Sequence, residues 1–124
     1  MLEETGREVI DSALRVHREL GPGLLENAYL ECLGFELGER GLAVERQKPL
    51  MLNYRGLEMG VAYRLDLLVN DCVVVELKAV RELTTLHEAQ LLSYLKLGSY
   101  RLGFLLNFNV RRMRDGMKRM VNRL

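Results

Sequence analysis

The sequence predicts an α/β fold, a mixed sheet flanked by helices. Two observations carry it. Apolar residues recur at the helical period up to about residue 40 and then alternate at period two from residue 44 onward. After residue 80 a helical segment separates the third alternating run from a fourth, which suits the crossover that parallel strands need. Pro22 and Pro49 are the only prolines in 124 residues, and no repeat or linker interrupts the chain, so one domain, 1–124, is expected.

Residues 3–20 read as a helix because Val9, Ala13, Val16 and Leu20 step by four, three and four. Gly21-Pro22-Gly23 ends it. A second helix is expected to start at once, since proline tolerates the first helical turn, and to run to about Arg40 with Leu25, Tyr29, Cys32 and Leu33 in its apolar stripe. Gly41 stops it. Residues 44–54 and 57–69 form two strands, the second showing Val61, Tyr63, Leu65, Leu67 and Val69 on one face. Val73 to Val80 form a third. Thr85 with Glu88 matches a capping box that opens a helix through about Leu97. Residues 100–108 are apolar enough for a fourth strand buried on both faces. A last helix over 110–123 turns Val110, Met113, Met117, Met120 and Val121 inward and its basic residues outward. The predicted order is α-α-β-β-β-α-β-α, a four-stranded mixed sheet with extra helices at both ends.

Eighteen basic and seventeen acidic residues give a net charge of +1, so overall charge selects neither nucleic acid nor membrane. The distribution is uneven. Residues 110–124 hold Arg111, Arg112, Arg114, Lys118, Arg119 and Arg123 against Asp115 alone, a local +5. Such a run is either a solvated face or a phosphate-binding one. Cys32 and Cys72 are too few for a disulfide scaffold or a zinc site and are expected to be buried and reduced. The acidic N-terminal residues do not match a signal peptide, and no run approaches the roughly 20 apolar residues of a membrane helix. A cytoplasmic location is expected.

Charged residues inside apolar strands mark the candidate chemistry. Glu76 and Lys78 interrupt the third strand and, at i and i+2, share one face of the sheet. Asp66 lies between Leu65 and Leu67 in the second strand, where aspartate is disfavoured. Burying such charges is costly unless each is paired or bound to a metal. Two readings stand: structural ion pairs (Glu76 with Lys78, Asp66 with Arg64) or a site in which Asp66 and Glu76 share a divalent ion with oxygen ligands, as magnesium does. Glu26, in the first turn of the second helix, is a third acid, with Gly23 and Tyr29 along the same helix face. Gln90 and Tyr94, four apart, share a face of the later helix. His17 reads as a structural histidine, while His87 is open between roles.

The turn between the second and third strands decides whether the acids meet. A two-residue loop of Asn70 and Asp71 would set Glu76 opposite Leu65, turning it away from Asp66. A three-residue loop, Asn70-Asp71-Cys72, pairs Val69 with Val73 and brings Asp66 opposite Glu76. Asn and Asp tolerate the left-handed conformation that such a loop requires, so the odd-length turn, or a β-bulge, is expected.

The segment Val16-His17-Arg18-Glu19-Leu20-Gly21-Pro22-Gly23-Leu24-Leu25-Glu26-Asn27-Ala28-Tyr29 resembles the signature of the GxxExxY proteins. Glu45-Arg46-Gln47, Tyr63-Arg64-Leu65-Asp66, Val75-Glu76-Leu77-Lys78-Ala79-Val80, His87-Glu88-Ala89-Gln90-Leu91 and Asn107-Phe108-Asn109 fit the same family in order. That family is placed among PD-(D/E)XK nuclease-like proteins. The resemblance implies a restriction-endonuclease-like αβββαβ core, metal ligation by Asp66 and Glu76, catalysis by Lys78 and an added acidic role for Glu26. Gln90 and Tyr94 resemble the Gln-x-x-x-Tyr helix motif of some branches. Leu65 stands where the wider superfamily has proline.

The expected function is a magnesium-dependent nuclease, manganese being the alternative ion, that hydrolyses phosphodiesters of nucleic acid, DNA ahead of RNA. Asp66, Glu76 and Glu26 are the expected metal ligands and, with Lys78, the catalytic set. Tyr29, Gln90 and Tyr94 support it, and Arg111, Arg112, Arg114, Lys118 and Arg119 bind phosphates. The alternative is a non-catalytic nucleic-acid-binding or protein-assembly module that keeps the fold. Self-association is left open, and no membrane partner is expected.

Overall fold

A computed structural model describes residues 1–123. Two helices come first, α1 (Leu2–Leu20) and α2 (Glu26–Glu39). Then follow β1 (Val44–Tyr54), β2 (Leu57–Val69), β3 (Val73–Lys78), α3 (Thr85–Gly98) and β4 (Leu102–Asn107). A 3-10 turn (Met113–Gly116) leads into β5 (Met117–Val121). The strands form one sheet in the order β1-β2-β3-β4-β5, with β3 and β4 parallel and the other neighbours antiparallel. The run from α2 to β4 is the expected αβββαβ core.

Helices cover both faces. Val9, Ala13 and Val16 of α1 and Tyr29, Leu33 and Leu37 of α2 pack with Val73, Val75 and Leu77 on one side. Leu91 and Leu95 of α3 pack with Leu50, Leu65, Leu68 and Val74 on the other. All six residues of β4 are buried, as an apolar strand covered on both faces should be.

The turn after β2 follows the odd-length expectation. Val69 pairs with Val73, Leu68 with Val74 and Leu67 with Val75 across the loop Asn70-Asp71-Cys72. Asn70 (φ 50°) and Asp71 (φ 56°) take the left-handed conformation that short-side-chain polar residues tolerate. Asn70 also secures the loop to its neighbours: its Oδ1 accepts from the Ala43 N–H (2.9 Å) and its Nδ2 donates to the Thr5 hydroxyl (3.1 Å).

Several expectations require correction, most of all at the C-terminus. Residues 110–123 do not form a helix, and the sheet has five strands rather than four. Met113, Met117 and Met120 have helical spacing, yet Met113 and Met117 reach the core beneath α1 and α2 while Met120 reaches the α3 side. Residues three apart in a strand point to opposite faces, so one strand feeds both cores. The backbone of buried β4 is the physical reason: its outer N–H and C=O groups need partners, and β5 supplies them from Leu106↔Met117 to Leu102↔Val121.

The remaining corrections are local. α2 begins at Glu26, leaving Gly21–Leu25 as a loop, and Leu25 and Cys32 are exposed while Tyr29, Leu30, Leu33 and Leu37 form the buried stripe. The cap of α3 is Thr84 with His87, one residue before the expected Thr85 with Glu88; this gives His87 its role, its Nδ1 accepting from the Thr84 N–H. β3 ends at Lys78 and β4 spans less than residues 100–108. β2 does not keep one face throughout: Leu65 packs on the α3 side, Leu67 and Val69 on the other, and the change falls at Asp66. There β1 is irregular too, with Gln47 at φ 55° between the pairs Arg46↔Leu67 and Lys48↔Leu65.

Gly116 sits against the backbone of Asn107, where a Cβ would collide with the carbonyl oxygen. Gly116→Ala should therefore destabilise the protein by about 1–3 kcal/mol in urea unfolding. Gly38→Ala, in α2 with open space around it, should be neutral or stabilising by up to about 1 kcal/mol.

Candidate active site

The ladder between β2 and β3 stops after Leu67↔Val75. The next residues in register are Asp66 and Glu76, and their side chains take over from the backbone. The Asp66 N–H donates to Glu76 Oε2 (2.9 Å), and the Leu77 N–H donates to Asp66 Oδ2 (2.8 Å). Each carboxylate thus satisfies a main-chain donor that the parting strands would leave orphaned. Both are buried, Asp66 at 8% exposure and Glu76 at 2%.

Lys78 follows on the same face as Val74 and Glu76, the face that α3 covers, and is half-buried. Among the described residues it forms no ion pair with Glu76, nor Arg64 with Asp66, so neither structural ion pair is present. The charge of Lys78 still lowers the pKa of both acids, against a larger opposing effect. Burial raises Asp66 above the ordinary aspartate range, and the negative charge of Glu26 adds to the rise. Burial, then the charge of Asp66, pushes Glu76 up to about 8. Two buried like charges repel, so near neutral pH the pair holds a proton or needs a cation.

Glu26 is exposed at the start of α2, a helix packed on the opposite face from α3. It acts on Asp66 through its charge, but among the described residues no three His, Cys, Asp or Glu side chains gather into a metal-ligating group. Tyr29 does not brace it. The Tyr29 hydroxyl instead donates to the Gly21 carbonyl (2.6 Å) and accepts from the Leu24 N–H (3.1 Å), with its ring stacked on Phe108 at 4.6 Å. Tyr29 therefore shapes the loop that delivers Glu26.

Gln90 and Tyr94 lie on α3, both half-buried, and Gln90 makes no side-chain hydrogen bond among the described residues. The Tyr94 ring stacks on Tyr63, with centroids 3.9 Å apart and planes at 11°. The Tyr63 hydroxyl donates to Glu76 Oε1 (2.9 Å). Tyr63 belongs to the family-like run Tyr63-Arg64-Leu65-Asp66, but nothing in its spacing marks it as a site residue. In a regular strand it and Asp66, three apart, face opposite ways, and only the irregularity at Asp66 lets both meet Glu76.

Asn107 is a second residue the sequence pattern does not reveal as structural. Its Oδ1 accepts from the Val80 N–H (3.0 Å) and the Asn109 N–H (3.2 Å), and its Nδ2 donates to the Val80 carbonyl (3.0 Å). This clamp, with the Phe108 N–H on the Lys78 carbonyl (2.9 Å), fixes the chain just beyond Lys78. His17 is structural as expected, bonded through Nε2 to the Val110 carbonyl (2.7 Å).

The basic C-terminal segment is divided. Lys118 faces Glu88 (3.9 Å) and Arg119 faces Glu3 (3.2 Å). Arg111, Arg112 and Arg114 are exposed and form no ion pair among the described residues. Arg111 and Arg112 follow the Asn107–Asn109 clamp, at the same end of the sheet as Lys78. A surface cavity of about 370 Å³ between α1 and the β4–β5 edge, lined by Gly6, Ile10, Phe104 and Met117, contains none of the three candidate acids.

The donor set fits a hard divalent cation: two carboxylates side by side, both raised in pKa by burial, with oxygen as the only ligand type. The fold and this site define a class, α/β domains that hold an acid–acid–lysine set where two strands diverge. A family model for the PD-(D/E)XK nuclease superfamily matches residues 3–120. The chain belongs to that superfamily, whose nucleases generally use divalent metal ions. No curated protein and no solved structure matches the chain.

The raised Glu76 has a consequence for stability without metal. The folded state holds the Glu76 proton up to about pH 8, whereas the unfolded chain releases it near 4.5, so the associated stability is present below pH 4.5 and is lost as pH rises through 8. Thermal melts of the metal-free protein at pH 5 and pH 8.5 should show Glu76→Gln close to wild type at the lower pH. At the higher pH the variant should be more stable than wild type.

Proposed function

We propose that the protein is a magnesium-dependent nuclease that hydrolyses phosphodiester bonds of nucleic acid, DNA ahead of RNA. The observation that carries this reading is the pairing of buried Asp66 and Glu76 at the parting of β2 and β3, with Lys78 next on the Glu76 face. Asp66 and Glu76 would hold the ion, with Glu26 as an outer acid whose charge already reaches Asp66. A bound divalent ion supplies polarisation of the scissile phosphate and a lowered pKa for water. Lys78, whose charge acts on both carboxylates, would stabilise the extra negative charge of the pentavalent transition state and orient the attacking water. Gln90, half-buried on the helix that covers this face, is the further polar group this reading would enlist.

Arg111, Arg112 and Arg114 are the phosphate contacts this reading favours, since Lys118 and Arg119 already face carboxylates. The rival, a binding module without turnover, would use the same arginines but not need Lys78.

Incubation with magnesium or manganese and single- or double-stranded DNA and RNA separates the two. Cleavage by the wild type, reduced about 100- to 1,000-fold in Lys78→Ala, is the expected result. Nucleic-acid binding without cleavage by the wild type would favour the rival. Replacing Arg111 and Arg112 together by alanine should weaken binding and reduce the slope of log affinity against log salt by about 2. Lys118→Ala should leave that slope nearly unchanged.

A further inference from the structure

Tyr63 and Tyr94 form a stacked pair inside a charged site, and the reaction as described uses neither hydroxyl. The stack reaches across the sheet–helix boundary from β2 to α3. Tyr63 is half-buried and aims its hydroxyl at Glu76 Oε1 (2.9 Å), while Glu76 Oε2 is held by the Asp66 N–H (2.9 Å). Both oxygens of Glu76 are therefore fixed, one by backbone and one by a side chain. Asp66 differs: its Oδ2 accepts from the Leu77 N–H, and its Oδ1 has no protein donor among the described residues.

A glutamate side chain has three rotatable bonds, and a metal ligand must be held in one rotation to bind well. The main-chain bond at Oε2 leaves the carboxylate free to swing about that contact. A second donor at Oε1 removes that freedom. The tyrosine ring needs its own support to serve as that donor, because β2 has no partner on this side once the ladder to β3 has ended. The Tyr94 ring, parallel to it at 3.9 Å, provides the support.

We propose that Tyr63 is a positioning residue for the metal site, orienting the Glu76 carboxylate through its hydroxyl, and that Tyr94 acts on the site by bracing the Tyr63 ring. The inference rests on Asp66 and Glu76 being the metal ligands. It assigns Tyr94 a role through its ring rather than its hydroxyl, and it explains why a helix remote from the acids in sequence bears on them.

The test is calorimetric titration of the folded, metal-free protein with magnesium chloride, followed by cleavage assays. Tyr63→Phe keeps the stack and removes only the hydroxyl; it should weaken magnesium about 10-fold or more and lower kcat with KM little changed. Tyr94→Phe keeps the ring and should bind magnesium as wild type does. Tyr94→Leu removes the stack and should weaken binding as much as Tyr63→Phe, and the Tyr63→Phe/Tyr94→Leu double variant should be no weaker than Tyr63→Phe alone. If Tyr63→Phe fails to fold, the comparison of Tyr94→Leu with Tyr94→Phe decides. Wild-type affinity in Tyr63→Phe, in a protein whose wild type binds the ion, overturns this inference and leaves the metal reading intact. A wild type that binds no ion overturns both.

Discussion

At the open end of the sheet, two side-chain carboxylates replace the hydrogen bonds of a strand ladder, and the rest of the site depends on that exchange. Parting β2 from β3 leaves buried main-chain N–H groups at Asp66 and Leu77 that must find acceptors. Glu76 and Asp66 provide them at 2.9 and 2.8 Å. The same bonds hold two acids in a low-dielectric gap, where mutual repulsion and burial oppose ionisation. A structural requirement of the backbone thus brings two buried like charges together, a repulsion that a proton or a bound cation would relieve.

The surrounding fold serves to keep this gap fixed. Tyr29 ties Gly21 and Leu24 together at the start of α2, and its stack on Phe108 links that loop to the chain leaving β4. Asn107 closes on both backbone groups of Val80, just beyond Lys78. His17 secures Val110. These bonds use buried polar groups with specific partners, so hydrogen bonding adds to the apolar packing of Phe108 and Met113 in positioning the region beyond the C-terminal ends of β3 and β4. The one buried side-chain atom without a partner among the described residues, the Ser12 hydroxyl, lies on α1 rather than among these groups.

Surface charge is only partly sorted. Lys118 and Arg119 on the last strand face carboxylates, while among the described residues Arg111 and Arg112 form no ion pair where the parallel pair β3 and β4 ends. Exposed surface pairs contribute little to stability. Among the described residues Arg101, at the opposite end of β4 from Lys78, is likewise in no ion pair, so unpaired positive charge is not confined to the end of the sheet that carries the acids.

The sequence alone determined the elements whose signals are local. Strands 44–54 and 57–69 follow directly from period-two alternation, and the Asp66–Glu76 register follows from a turn whose Asn70 and Asp71 accept positive φ. The acids and Lys78 were legible because charge inside a β-branched run is costly without a purpose. Tertiary structure decided what long-range demands set. Residues 110–123 have a helical pattern, but the unpaired backbone edge of buried β4 drew 117–121 into a strand, a demand that no local pattern in that segment records. Cys32 fell on the exposed side of α2 because packing on the sheet chose Tyr29, Leu30, Leu33 and Leu37 as the buried stripe, and Tyr29 also closes the preceding loop by contacts eight and five residues away. Tyr63 joined the site only through the irregularity at Asp66 and a ring on α3 more than thirty residues later in the chain. Period and turn chemistry act between near neighbours, whereas edge pairing and ring stacking need the finished sheet.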